Sequence, residues 1–248
     1  MNIDLHNIGE IFHKETIYSP GREPFSGHDG IEKPPVFKLY PNSPKIKLPD
    51  YSQVSSLQIA EALKKRRSVR KYKNEPLSKK ELSFLLWATA GIQRRERNID
   101  FRTSPSAGAS YPIETYLVIN DVTGIEPGIY HYQPKTHELD ELKRGEFGKM
   151  AAVAALNQKM CAEAPAVFIW TAIFKRSVWR YGRRAYRYIY MDAGIVSENF
   201  VLAAAGINLG ACQIAAFFDD LSNELIGVDG EEESVVMMGT VGKGIMER

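Results

Sequence analysis

Seven cations occupy the ten positions from Lys64 to Lys73, namely Lys64, Lys65, Arg66, Arg67, Arg70, Lys71 and Lys73, the densest charge in the chain. Three chemistries compete for them. Cations in the last turn of a helix complement its macrodipole while staying in water. A basic stretch can also contact nucleic acid, although no nucleic-acid-binding motif accompanies this one and the net charge is only +2. The third is a phosphate site. In extended chain Arg66, Ser68 and Arg70 fall on one side, and two guanidinium forks plus a hydroxyl suit a group accepting several charge-assisted hydrogen bonds, each worth about 1.5–3 kcal/mol.

Other chemistries are poorly supplied. No Gly-x-Gly-x-x-Gly follows a strand pattern, and no Gly-x-x-x-x-Gly-Lys-Ser/Thr occurs, which argues against a Rossmann dinucleotide site and a P-loop. His-Glu-x-x-His is absent, and the histidines lie in the N-terminal arm or in a hairpin pattern. Cys161 and Cys212 have no metal-ligand spacing and build no disulfide scaffold. A reactive atom would therefore come from a bound cofactor, with no metal implied.

The elements that must position these residues are readable from their periods. Leu57, Ile59, Ala60 and Leu63 have helical spacing and run directly into the basic stretch. Ser78 with Glu81 forms a capping box before Leu82, Leu85 and Leu86, and Gly91 ends that helix. Residues 92–112 read as a polar connection, a loop of small residues rather than a strand. Residues 114–119 read as a buried strand, 128–132 and 137–142 as a hairpin, and 151–162 as an Ala-rich helix. Residues 165–173 are apolar on both faces and read as a central strand, and residues 184–207 form a helix apolar enough to be buried against another surface, such as a symmetry mate. Ala211–Phe217 and Ser234–Val241 supply two further strand patterns. The expected fold class is α+β, a mainly antiparallel central sheet surrounded by helices. Residues 1–50 carry seven of the thirteen prolines and read as an extended arm with apolar points at Ile11, Phe12, Phe25, Phe37 and Tyr40, able to wrap the body that occupies residues 51–248 or a partner subunit.

Four segments in order carry a resemblance: Arg66-Arg67-Ser68-Val69-Arg70, Ser104 to Pro112, Tyr181 to Tyr188, and Leu209 to Phe217. Together they resemble the FMN-dependent nitroreductase superfamily over residues 55–244, most of all its SagB/thiazole-oxazole dehydrogenase branch. The resemblance implies a nitroreductase-like homodimer with an FMN at each of two subunit interfaces. It implies that Arg66, Arg67, Ser68 and Arg70 hold the FMN phosphate and ribityl chain, with Lys243 as a further phosphate cation. It also implies that Pro105, Ser106, Ala107 and Gly108 meet the flavin ring from the partner subunit, and that the amides of Ala215 and Ala216 face flavin N5 and O4. Small residues suit a loop that brings backbone close to a flat ring.

The implied activity is an FMN-dependent oxidoreductase passing electrons between NAD(P)H or another reductant and a small organic acceptor. Azoline-oxidising members use a Lys-Tyr pair, and the matching positions here are Arg180 and Tyr181. Tyr181 is the candidate catalytic residue. Arginine stays charged and cannot act as a general base, which counts against the alternative, oxidation of peptide thiazoline or oxazoline rings. A non-catalytic flavin- or anion-binding module is the reading from a different class.

Composition sets outer bounds. The 248 residues include 32 Lys and Arg against 30 Asp and Glu, with 44% hydrophobic residues, as in an ordinary globular protein and not a polyanion-binding coat. The longest apolar stretches are broken by Glu163, Pro165, Glu198 and Asn199, and residues 1–6 show no secretory pattern, so a reducing cytoplasm is expected and no membrane partner.

Overall fold

The computed structural model describes residues 7–21 and 32–245. The arm residue Phe25 and the first six residues lie outside that range. Secondary structure begins with helix α1 (Ile8–Glu15) and a short strand β1 (Lys45–Lys47), followed by α2 (Ile59–Lys65), α3 (Lys79–Ala90), a small hairpin β2 (Ile92–Glu96) and β3 (Ile99–Arg102), and β4 (Ile113–Ile119). Next come β5 (Gly128–Gln133), β6 (Glu138–Arg144), α4 (Gly148–Ala154), α5 (Met160–Glu163), β7 (Ala166–Ile173) and α6 (Lys175–Tyr181). The long α7 (Ala185–Gly206), β8 (Gly210–Ile214), α8 (Asp219–Ile226) and β9 (Glu233–Gly242) complete the order.

Seven strands make one sheet in the order β1-β6-β5-β4-β7-β9-β8, and each described pairing is antiparallel. The central strands β4 and β7 are apolar on both faces because both faces are covered. Leu117, Ile119, Phe168 and Trp170 point into one core with residues of α3 and α7. Their neighbours Tyr116, Val118, Val167 and Ile169 point into a second core with Ala151, Cys161 and Leu225. This alternation is the two-residue period of a strand. Ser78 accepts from the Glu81 amide at 3.2 Å while its own amide donates to Glu81 at 2.8 Å, so the capping box starts α3, and Gly91 follows its last residue.

Four expectations require correction. The 92–112 connection contains the β2–β3 hairpin. Arg97 (φ 48°) and Asn98 (φ 65°) make its tight turn, and Arg95 pairs with Asp100 across it at 2.5 Å. Its polar sequence concealed the strand signal because a cross-strand ion pair stands here in place of an apolar contact. The Ala-rich helix is two short helices, interrupted where Leu156 (φ 55°) and Asn157 (φ 61°) turn left-handed. The strand at 211–217 ends at Ile214, leaving Ala215, Ala216 and Phe217 outside it.

The arm is also not wholly extended. α1 has no buried residue, and its C-terminal carbonyls are held instead by two arginines of the body. Arg184 donates to the Thr16 carbonyl and Arg187 to the His13 carbonyl, while Arg187 Nε donates to Thr16 Oγ1 at 2.6 Å. Further on, the arm lies along the sheet. Lys38 reaches Glu233 at 2.5 Å, Arg176 Nε donates to the Pro35 carbonyl at 2.8 Å, and β1 pairs with β6. Among the described residues no helix is long and apolar enough to cross a membrane, and Cys161 and Cys212 are free and buried.

Candidate functional site

α2 ends at Lys65, and Arg66 (φ −52°, ψ 125°) turns the chain into an extended run. That run docks against the start of β8. Ser68 bridges Ala211 in parallel and the Val69 amide donates to the Ala211 carbonyl at 2.9 Å. Val69 packs inward, where a Cβ on Gly210 or Gly244 would come within 2.7 or 2.8 Å of it, so both glycines permit the close approach. With Val69 turned in, Arg66, Ser68 and Arg70 turn out, as a two-residue period requires. Among the described residues none of Arg66, Arg67 and Arg70 has a carboxylate within 4.0 Å. Arg67 is engaged by the Lys64 and Arg66 carbonyls, at 3.0 and 2.9 Å. Lys243 stands beside this turn, its carbonyl accepting from the Lys73 amide at 2.8 Å, but its ammonium is paired with Glu75 at 3.0 Å. A cavity of about 280 Å³ opens between the turn, the end of α7 and the start of β8, with Arg66, Arg67, Ala205, Asn208 and Gly210 among its lining.

β8 carries the site away from these cations. From Ala211 to Ala215 the strand advances about 13 Å. Midway, Gln213 Nε2 donates to Ser197 of α7 at 2.9 Å, which ties strand to helix. Ala215 and Ala216 emerge exposed at the far end. The Ala216 carbonyl accepts from Gln158 at 3.2 Å, whereas neither alanine amide donates to a group among the described residues. Cations at one end of a strand and uncommitted amides at the other form an elongated, polarised edge suited to a ligand with an anionic tail and an electron-accepting ring.

The loop of small residues is built around Asp192 of α7. Ser106 Oγ donates to Asp192 at 2.5 Å and accepts from the Tyr111 amide at 2.9 Å, and the Ala107 amide reaches Asp192 at 3.4 Å. Burial raises the Asp192 pKa against the pull of these two donors. Pro105 and Gly108 stay exposed. Gly108 (φ 59°) has a left-handed conformation that strains any other residue, and a Cβ there would lie 2.3 Å from Arg180 Nη1 and 2.4 Å from the Tyr181 hydroxyl, so both side-chain ends would have to move. Arg180 Nη1 donates to the Gly108 carbonyl at 2.6 Å. Tyr181 meets the Tyr188 ring edge-on at 4.9 Å, and Arg184 Nε donates to the Tyr188 hydroxyl at 2.8 Å.

The expected residues therefore gather into two groups. Arg66, Arg67, Ser68, Arg70 and Lys243 share the β8 edge with Ala215 and Ala216, while Pro105, Ser106, Ala107 and Gly108 join Tyr181. α7 separates the groups. Asp192, which holds the loop, and Ser197, which holds β8, are five residues and so about 140° apart around the helix. The outward face of α7 leaves Tyr190, Met191 and Ile195 exposed at 56%, 60% and 38%, an apolar stripe of the kind that contacts another surface.

Several supporting residues were not singled out from sequence. Asp192 and Gln213 act through hydrogen bonds between separate segments, two at Asp192 and one at Gln213, and nothing in their local sequence marks them. Glu114, Arg176, His131 and Asp140 form a buried ionic network under the arm. Burial alone would raise the Glu114 pKa, but Arg176, His131 and Arg102 outweigh it and bring the carboxyl down to about 2. A glutamate inside a buried strand pattern was the available signal, since buried carboxylates require partners.

The Nitroreductase family model matches residues 63–243. The protein MJ1384 of Methanocaldococcus jannaschii, named as a nitroreductase, is 38% identical over 201 residues, covering 81% of this chain and 97% of that protein. The trifolitoxin-processing protein TfxB of Rhizobium leguminosarum is 33% identical over 137 residues, covering 53% of this chain but 37% of its own length. A solved nitroreductase structure from Anabaena variabilis superposes with a TM-score of 0.74 at 30% identity, covering 95% of this chain and 47% of that one.

Proposed function

Given that this chain belongs to the nitroreductase family, we propose that it is an FMN-dependent oxidoreductase, passing electrons from NAD(P)H or another reductant to a small organic acceptor. The observation that carries this reading is the β8 edge, with uncompensated guanidiniums at its Ala211 end and uncommitted amides at its Ala215 end. The residues present fit FMN, because the cavity of about 280 Å³ beside the basic turn is lined by Lys65, Arg66 and Arg67, cations that suit a phosphate.

When bound, FMN supplies a ring that accepts and donates hydride at N5. Arg66 and Arg70 would hold its phosphate, Ser68 would add a hydroxyl and Arg67 a further positive charge, while Lys243 would have to exchange its Glu75 partner to join them. The amides of Ala215 and Ala216 are the donors available to the N5–O4 edge, where preorganised dipoles favour the electron-rich reduced ring. Pro105, Ser106, Ala107 and Gly108 lie across α7 from the basic turn, which supports the family expectation that they would line the ring held by a second copy. Each site of the homodimer then combines the basic turn and β8 of one chain with the loop and Tyr181 of the other. Tyr181 holds the proton that its phenolic oxygen gives to the acceptor. The body from residue 51 is the flavin-binding unit and residues 1–50 its extension. Buried free thiols fit a reducing cytoplasm.

A second reading, oxidation of thiazoline or oxazoline rings in a peptide, is favoured by the similarity to TfxB. It requires Tyr181 to move the proton unaided, since the neighbouring Arg180 stays protonated. One experiment separates the classes. The purified protein is expected to show flavin absorbance bands that bleach anaerobically with NAD(P)H. Bands that resist every reductant would indicate a flavin carrier, and a colourless protein that takes up no added FMN would refute the proposal.

A further inference from the structure

Six cations and no carboxylate occur between Lys175 and Arg187, the stretch that surrounds Tyr181. Three of the six are neutralised from elsewhere: Lys175 by Glu232, Arg176 by Glu114, and Arg183 by Glu15 at 3.6 Å. Arg184 and Arg187 spend their donors on carbonyl and hydroxyl oxygens of the arm and on Tyr188. Arg180 differs from all of these. It is exposed, it has no carboxylate within 4.0 Å among the described residues, and its one hydrogen bond is Nη1 to the Gly108 carbonyl at 2.6 Å.

That bond anchors the guanidinium at Nη1 and leaves most of its five donors uncommitted. The Trp179 ring centroid lies 5.5 Å from its Cζ, and both Arg180 Nη1 and the Tyr181 hydroxyl abut Gly108. The fork and the phenol thus meet at the bare Gly108 backbone, with the flat Trp179 ring beside the guanidinium. A planar fork of this kind matches a carboxylate bidentately, and the uncompensated field of the neighbouring arginines favours an anion over a neutral isostere.

We propose that Arg180 is a specificity-determining residue that binds the carboxylate of a planar aromatic acceptor and sets its ring beside Tyr181. The inference deepens the oxidoreductase reading and rests on it for the word acceptor, but the binding it asserts is measurable without any flavin chemistry. Benzoate and benzamide, which differ in charge but hardly in shape, are titrated against the purified full-length protein, with tryptophan fluorescence as the signal. Benzoate is expected to bind about tenfold tighter or more, an advantage that shrinks as NaCl is raised. Arg180→Met should abolish the preference, and Arg180→Lys, which keeps the charge without the fork, should restore part of it.

The second arm uses 4-nitrobenzoate and 4-nitrobenzamide as acceptors, each taking two electrons and two protons to the nitroso compound with loss of water. The charged acceptor should show the lower KM with a similar kcat. Equal affinity for benzoate and benzamide in the unaltered protein, or an unchanged preference in Arg180→Met, would overturn the proposal even if the flavin turned over normally. A benzoate preference in a protein that takes up no FMN would leave the anion site standing and remove the oxidoreductase reading instead.

Discussion

At the scale of single residues, the proposed site divides labour between groups that hold and a group that reacts. Arg66 and Arg70 have no carboxylate partner among the described residues, so their charge is available to a ligand. Replacing both with alanine removes two charge-assisted contacts of about 1.5–3 kcal/mol each, and the expected weakening of FMN is therefore at least about 100-fold. Flavin content after gel filtration measures it, and stoichiometric retention would refute the phosphate assignment. Tyr181→Phe should do the opposite, leaving flavin bound while slowing turnover by on the order of 100-fold, the usual scale for a lost general acid. The basic turn was legible because its residue types announce a chemistry. Asp192 and Gln213 were not, because each works through a partner far away in sequence.

At the scale of elements, strands buried on both faces and a capped helix were readable because burial and capping leave local marks, as in Phe168-Ile169-Trp170 and in Ser78 with Glu81. The β2–β3 hairpin escaped because Arg95 and Asp100 stabilise it by charge. α1 escaped because it buries no residue and depends on Arg184 and Arg187, which lie more than 160 positions away. The buried network at β4 makes a pH prediction. Glu114 has a folded pKa of about 2, below its ordinary value of 4.5. A depressed carboxylate contributes its full stability above the unfolded pKa and loses it as the pH falls through the folded one. Melting temperature should therefore drop between about pH 4.5 and pH 2, following the protonation of Glu114. Glu114→Gln should flatten that slope and cost about 3–5 kcal/mol near neutrality, because Arg176 would be left buried without its partner. Thermal denaturation across that range gives both quantities, and an unaltered acid slope in the variant would dismiss the network as its source.

At the scale of the whole molecule, the two groups of residues lie on different sides of α7, and the exposed Tyr190, Met191 and Ile195 form an apolar face that the proposed homodimer would bury. A shared site has a consequence that a self-contained one lacks. In a heterodimer of an Arg66→Ala/Arg70→Ala chain with a Tyr181→Phe chain, both defects fall in one site and the other site is intact. The decisive measurement is turnover after the two impaired proteins are dissociated, mixed in equal amounts and reassociated with FMN. Activity should climb to about a quarter of the unaltered level, since about half of the dimers are mixed and each has one good site. Activity no higher than the average of the two separate proteins would contradict a flavin site shared between copies.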